Sequence, residues 1–169
     1  MAESKSDQPE AKRKRTASRL AAVQALYQID VTGASPATAI IEHTRHNLGG
    51  NAPDESFGDA DEQMFAELVE GTAARREDID RGLSSALSAD WPLERLEIIL
   101  RAILRVAVYE LLARPGVPAR VIISEYLDIA HAFFAGKEPG LVNGVLDRLA
   151  RSIRSEGLRD DQADSAAPR

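Results

Sequence analysis

The sequence predicts an all-α protein of about seven helices, and three observations carry that expectation. Apolar residues recur at three- and four-residue spacing through most of residues 15–156. No run shows the period-two alternation of a half-buried strand; Val121-Ile122-Ile123 is β-branched but sits in a helical frame. Proline and glycine then divide the chain into segments of helical length.

Ser18 is a favourable N-cap, and Leu20, Val23, Leu26 and Tyr27 follow it on one face. The first helix is therefore expected from Ser18 to about Val31, with those four residues on a single face. Ser35-Pro36 pairs a cap with proline at the first helical position, and the second helix ends before Gly49-Gly50. Residues 49–58 read as a loop. A third helix is expected over about 60–75, with Met64, Phe65, Leu68, Val69 and Thr72 inward. A fourth, from about Glu77 to Ser88, turns Ile79, Leu83 and Leu87 inward and places Glu77 and Asp78 at its positive end. Pro92 marks a break. The fifth helix, about 94–113, carries Leu96, Ile99, Leu100, Ile103, Val106, Ala107 and Leu111 on a face so wide that it must be nearly enclosed. It is the expected central helix. Pro115-Gly116 turns the chain, Pro118 opens the sixth helix to about Phe134, and the seventh follows over about 139–155 after a loop at Gly136–Pro139.

Length and composition bound the function. A chain of 169 residues suffices for one domain with a proper core. The longest apolar stretches are interrupted by Arg or Glu, so no transmembrane helix can be drawn. The basic N-terminus lacks an apolar segment behind it, which argues against a secretory signal. The absence of cysteine excludes disulfides and cysteine-based metal or redox sites, and suits a cytoplasmic location.

Catalytic chemistry finds no support. His43 and His46 stand at i and i+3, a spacing two metal ligands can share, but a third ligand is not evident and two surface histidines are the better reading. Gly136-Lys137 lacks the glycine pattern of a phosphate loop. The carboxylates fall at helix-surface spacings. The chain is expected to be no enzyme and to need no cofactor or metal.

Charge is distributed unevenly. Residues 1–19 hold six basic and three acidic residues, a net +3, whereas residues 20–169 hold fifteen and twenty-four, a net −9. Two readings of Lys12-Arg13-Lys14-Arg15 stand side by side. One is a solvated, disordered terminus. The other is a polyanion contact, with Arg19 on the first turn of the helix behind it; a body of −9 would repel RNA nearly everywhere else. Arginine suits the second because its planar fork binds phosphate and stacks on unpaired bases. Five phosphates neutralised on single-stranded RNA give a log–log salt slope of about −3 to −4. The expected organisation is a basic disordered arm at 1–14, a helical RNA-binding domain at 15–156 and a disordered tail at 157–169.

Four blocks in order, A-A-V-Q-A-L-Y-Q-I-D (21–30), L-R-V-A-V-Y-E-L-L (104–112), V-P-A-R-V-I-I-S-E-Y-L-D-I-A (117–130) and L-V-N-G-V-L-D-R-L-A-R (141–151), resemble the bacterial NusB family of transcription antitermination proteins. The resemblance spans roughly residues 15–154. It implies a NusB-like fold of two packed helical bundles joined through the fifth helix. It further implies a non-catalytic adaptor that binds boxA, a short single-stranded element in ribosomal-RNA leaders, together with NusE, a small-subunit ribosomal protein, beside RNA polymerase. The arm (Lys12, Arg13, Lys14, Arg15) and Arg19 would grip RNA, with Gln24, Tyr27, Lys137 and Asn143 framing it. For Tyr27 the competing reading is a core aromatic. Glu94, Glu97, Glu110, Glu125 and Asp128 are the acids expected to face the protein partner. Three departures bear on this: Leu141 where many relatives carry an aromatic residue, Ser124 where asparagine is frequent, and Thr16-Ala17-Ser18 where some relatives continue with arginine. A NusB-like domain also fronts certain ribosomal-RNA cytosine methyltransferases, but the chain shows no Rossmann-type glycine loop. The resemblance leaves oligomeric state open, a homodimer included. The rival function is a purely protein-binding helical scaffold without specific RNA binding.

Overall fold

A computed structural model describes residues 7–48 and 60–165, with side chains described over 8–46 and 60–155. The described residues form seven α-helices and no strand: α1 (Asp7–Thr32), α2 (Pro36–Leu48), α3 (Glu62–Ala74), α4 (Arg76–Ala86), α5 (Ile98–Ala113), α6 (Ala119–Phe133) and α7 (Glu138–Ser165). A single 3₁₀ turn, Leu93–Arg95, precedes α5. The loop expected at 49–58 lies outside the described residues.

Helix α5 is the axis of the molecule. Every side chain from Ala102 to Leu111 is buried, because α1, α3, α4, α6 and α7 all pack on it. Helices α1, α2 and α3 gather on one side, while α4, α6 and α7 gather on the other, giving two bundles that share α5. Leu68, Ile79, Leu83, Leu100, Ile103, Leu104, Leu111, Ile122 and Leu146 fill the interior. Burying each such side chain is worth about 1.5–3 kcal/mol relative to exposure.

Helix α5 starts later than its apolar pattern predicts. Leu93 and Leu96 are both buried, but Leu96 and Glu97 have extended backbone, so these two leucines reach the core from a turn rather than from the helix. The start of α2 agrees with expectation: Ser35 Oγ accepts the Thr38 N–H at 3.1 Å. At α3, Asp61 is the N-cap and accepts the Met64 N–H at 3.1 Å. All five residues expected inward on α3 are buried.

Helix α1 departs most from expectation. It is already helical at Asp7, the first described residue, rather than from Ser18, so residues 7–14 of the expected disordered arm are helical. The local reasons are physical. Lys and Arg are good helix formers, and residues 10–15 carry four of them. Glu10 and Lys14 pair at i, i+4 with 3.8 Å between charges. Ser18 caps nothing. It is fully buried, and its Oγ lies 2.8 Å from Lys14 O and 3.0 Å from Asp61 O, tying α1 to the start of α3. The inward stripe is Arg19, Ala22, Val23 and Leu26, and Tyr27 faces out. Gly33, at φ 73°, ends the helix by donating its N–H to Ile29 O at 2.9 Å in a conformation that other residues rarely adopt. At the other end of the chain, α7 continues to Ser165, through most of the tail expected to be disordered, since propagation costs little once a helix is nucleated.

Helices α3 and α5 approach closely at Gly71. A Cβ added there would lie 2.1–2.4 Å from the Tyr109 ring atoms, and Tyr109 is itself buried. Gly71→Ala is therefore expected to lose about 1–3 kcal/mol of stability despite alanine's higher helix propensity, as measured by urea denaturation. A stabilised variant would mean that the ring swings aside without cost.

Candidate nucleic-acid interface

Four exposed cations stand in succession on the N-terminal part of α1, while Arg45, Arg75, Arg76, Arg81, Arg95, Arg120, Lys137, Arg148 and Arg151 are exposed singly or in pairs elsewhere. Lys12, Arg13, Lys14, Arg15 and Thr16 are all exposed, whereas Ser18 and Arg19 are buried. Four successive helical residues spread over about 300° of the helix circumference, so exposure of all four means that this part of α1 overhangs the body. The result is a helical projection with cations on every side, standing on an acidic domain.

The root of the projection is a buried ionic cluster. Arg19 is 3 % exposed and Glu110 of α5 is fully enclosed. Arg19 Nε donates to both Glu110 oxygens, at 3.1 and 2.9 Å, and Nη2 donates to Oε1 at 2.5 Å. Tyr126 of α6 donates its hydroxyl to Glu110 Oε2 at 2.7 Å. Glu125 of α6 brings Oε1 within 3.8 Å of Arg19 Nη1 and accepts the Thr16 hydroxyl on Oε2 at 3.0 Å. Burial alone would lower the Arg19 pKa, but its hydrogen bond to Glu110 and the nearby carboxylate charge raise it above the usual value. The Tyr126 hydroxyl is held well above its ordinary range by burial, then by the Glu110 charge and the bond to it.

Three site expectations are corrected by this cluster. Arg19 is not available to RNA, because its guanidinium is consumed in the core. Glu110 and Glu125 are not available to a protein partner, because both carboxylates face Arg19. The sequence signal was present: a charge sits inside each enclosed stripe, Arg19 before L-A-A-V and Glu110 inside V-Y-E-L-L. Opposite charges on two buried faces must meet or be left unpaired at large cost.

The other expected contacts are accessible but scattered. Tyr27 is 43 % exposed, which favours the stacking reading over the core reading for its ring. It stands twelve residues, or about 18 Å along the axis, from Arg15. Gln24 is half-buried one turn before it. Lys137 and Asn143 are exposed at the entrance to α7, a helix that packs on α4, α5 and α6. Helices α1 and α7 thus meet the same two neighbours, α5 and α6. Of the acids, Glu94 and Glu97 are exposed at the turn into α5, and Asp128 is exposed on α6. A second buried arginine, Arg105, grips Asp80 through two bonds of 2.8 and 3.0 Å and Asp30 through one of 2.9 Å. It fastens the far end of α1 to α4 and α5.

His46 is exposed, but His43 is half-buried beside Phe65, with ring centroids 4.8 Å apart. Burial, then the neighbouring His46, lowers its pKa. Among the described residues no group of three His, Asp or Glu side chains could hold a metal ion, and no helix is long and apolar enough to cross a membrane.

The family model for the NusB family matches residues 16–151. The chain belongs to the NusB family. The transcription antitermination protein NusB of Mesorhizobium japonicum is 48 % identical over 148 residues, covering 88 % of this chain and 96 % of that one. NusB of Bartonella tribocorum is 47 % identical over 146 residues, covering 86 % and 94 %. Among solved structures, NusB of T. maritima matches with a TM-score of 0.68 at 29 % identity, over 81 % of this chain and 90 % of that one. The NusB fold also matches a crystal structure of NusB and NusE in complex with double-stranded RNA, with a TM-score of 0.69 at 24 % identity over 83 % and 98 %. Members of the NusB family are antitermination proteins rather than enzymes, and this chain is no enzyme. The family match begins at Thr16, so the cation-bearing turns of α1 lie just outside it.

Proposed function

We propose that this chain is a cytoplasmic, non-catalytic antitermination adaptor that holds boxA RNA of ribosomal-RNA operons together with NusE, beside RNA polymerase. The observation that carries the reading is the overhang of α1: four exposed cations on a rigid, rooted helix, in a molecule that is otherwise acidic. The relatives named as antitermination proteins and the solved NusB–NusE–RNA complex support it. Lys12, Arg13, Lys14 and Arg15 attract phosphate, Tyr27 offers an aromatic face to an unpaired base, and Lys137 and Asn143 extend the contact. With Arg19 withdrawn into the core, the arm supplies four cations rather than five, and the expected salt slope falls to about −3. Glu94, Glu97 and Asp128 remain as acids for a basic protein partner.

Two ligands sharing one surface raise each other's affinity by the same factor. The test is a fluorescence anisotropy titration of boxA RNA and a scrambled control, with and without NusE, at two salt concentrations. The adaptor reading expects tighter binding to boxA, strengthened further by NusE. Equal, weak binding of both RNAs, unmoved by NusE, would overturn it and leave the protein-binding scaffold.

A further inference from the structure

We propose that Thr16 and Glu125 position the cation-bearing overhang of α1, and so set RNA affinity without touching RNA. The inference rests on the RNA-binding reading and adds the device that makes the overhang effective. Glu125 divides its carboxylate between two tasks. Oε2 accepts the hydroxyl of Thr16, the last exposed residue of the overhang, while Oε1 faces the buried Arg19 one turn further on. Among the described residues, Thr16 to Glu125 is the outermost hydrogen bond between α1 and the body.

The overhang needs such a tether. The described part of the overhang, residues 7–16, is about ten residues long, and helical segments of that length are marginal in water without tertiary contacts. Lys12 and Arg15 stand at i, i+3 with like charge, which destabilises the helix; Glu10 offsets this only at Lys14, and from an exposed position. Helix ends without tertiary contacts fray. The Thr16–Glu125 bond stops the fraying at its inner limit and fixes the direction of the helix. Cations ordered before RNA arrives need not be ordered by the RNA, and affinity rises accordingly.

This role has a signature distinct from that of a phosphate contact. Thr16→Val keeps the shape and all four cations but removes the hydroxyl. It is expected to weaken boxA RNA binding about three- to tenfold, the range of one hydrogen bond, with the salt slope unchanged. Thermal stability should fall only modestly, since Glu125 keeps Arg19 beside it, while Thr16→Ser should restore affinity and amide exchange over residues 8–15 should quicken in Thr16→Val alone. Glu125→Ala, whose Arg19 is still held by Glu110, closes a double-mutant cycle: the pair of substitutions should weaken RNA no further than Glu125→Ala does by itself. Wild-type affinity in Thr16→Val, a changed salt slope or multiplicative losses in the cycle would overturn the positioning role. If the wild-type protein fails to bind boxA RNA, the function falls and this inference with it. If the wild type binds and Thr16→Val matches it, the inference alone falls.

Discussion

Replacing Lys12, Arg13, Lys14 and Arg15 together by alanine should weaken RNA binding by about 10²- to 10³-fold at 0.1 M salt and flatten the log–log salt slope by about three. The magnitude follows from counterion release: each phosphate contact on a single strand contributes about 0.7 to the slope, and four contacts compound over a decade of salt. All four side chains are exposed and, among the described residues, make no hydrogen bond into the core, so the fold should persist with its melting temperature little changed. The comparison is made by anisotropy at several salt concentrations. A four-alanine protein that keeps the wild-type slope would move the phosphate contacts elsewhere, with Lys137 the first candidate.

The largest effect on stability is expected at the root of the same helix. Glu110→Ala removes the acceptor of three Arg19 hydrogen bonds and of the Tyr126 hydroxyl in a fully enclosed site. A buried charge left without its partner costs about 3–5 kcal/mol, which corresponds to a fall in melting temperature of about 6–20 °C in a chain of this length. Glu125 cannot compensate, since it lies 3.8 Å from Arg19 and already serves Thr16. The reverse arm is equally diagnostic. Arg19→Met combined with Glu110→Leu, Tyr126→Phe and Glu125→Gln removes all three charges and the stranded hydroxyl, and should recover most of the lost stability, because well-packed uncharged replacements of a buried ion cluster are close to neutral. A Glu110→Ala protein as stable as the wild type would show that the cluster is hydrated and open.

The fold was legible in the sequence because it rests on apolar periodicity. The α5 stripe is wide enough to announce a central helix, and the α3 pattern from Met64 to Thr72 is realised residue by residue. What periodicity misjudged is polar. A charged residue reads as surface unless its partner is known, and Glu110 lies 91 positions from Arg19, so no local pattern could pair them. The same limit moved Glu125 from the expected protein interface to the core edge. Two readings of Tyr27 stood open in the sequence, and with Arg19 inward the buried stripe of α1 rotates past the tyrosine and leaves its ring exposed. The start of α1 was drawn too late because Ser18 has the chemistry of a cap, but that chemistry is spent on carbonyls of Lys14 and Asp61. As for the site, Lys12 to Arg15 were visible as a charge cluster, but their helical, overhanging presentation was not.

On the proposed function, RNA meets this protein at the exposed cations of α1. The direct measurement is a two-dimensional amide NMR titration of the isotopically labelled chain with boxA RNA. Shifts are expected to concentrate on residues 8–16, extend to Gln24 and Tyr27, and spare the exposed acids at Glu94 and Glu97. Shifts confined to α3, α4 or the far end of α7, with the first turns of α1 unmoved, would contradict it.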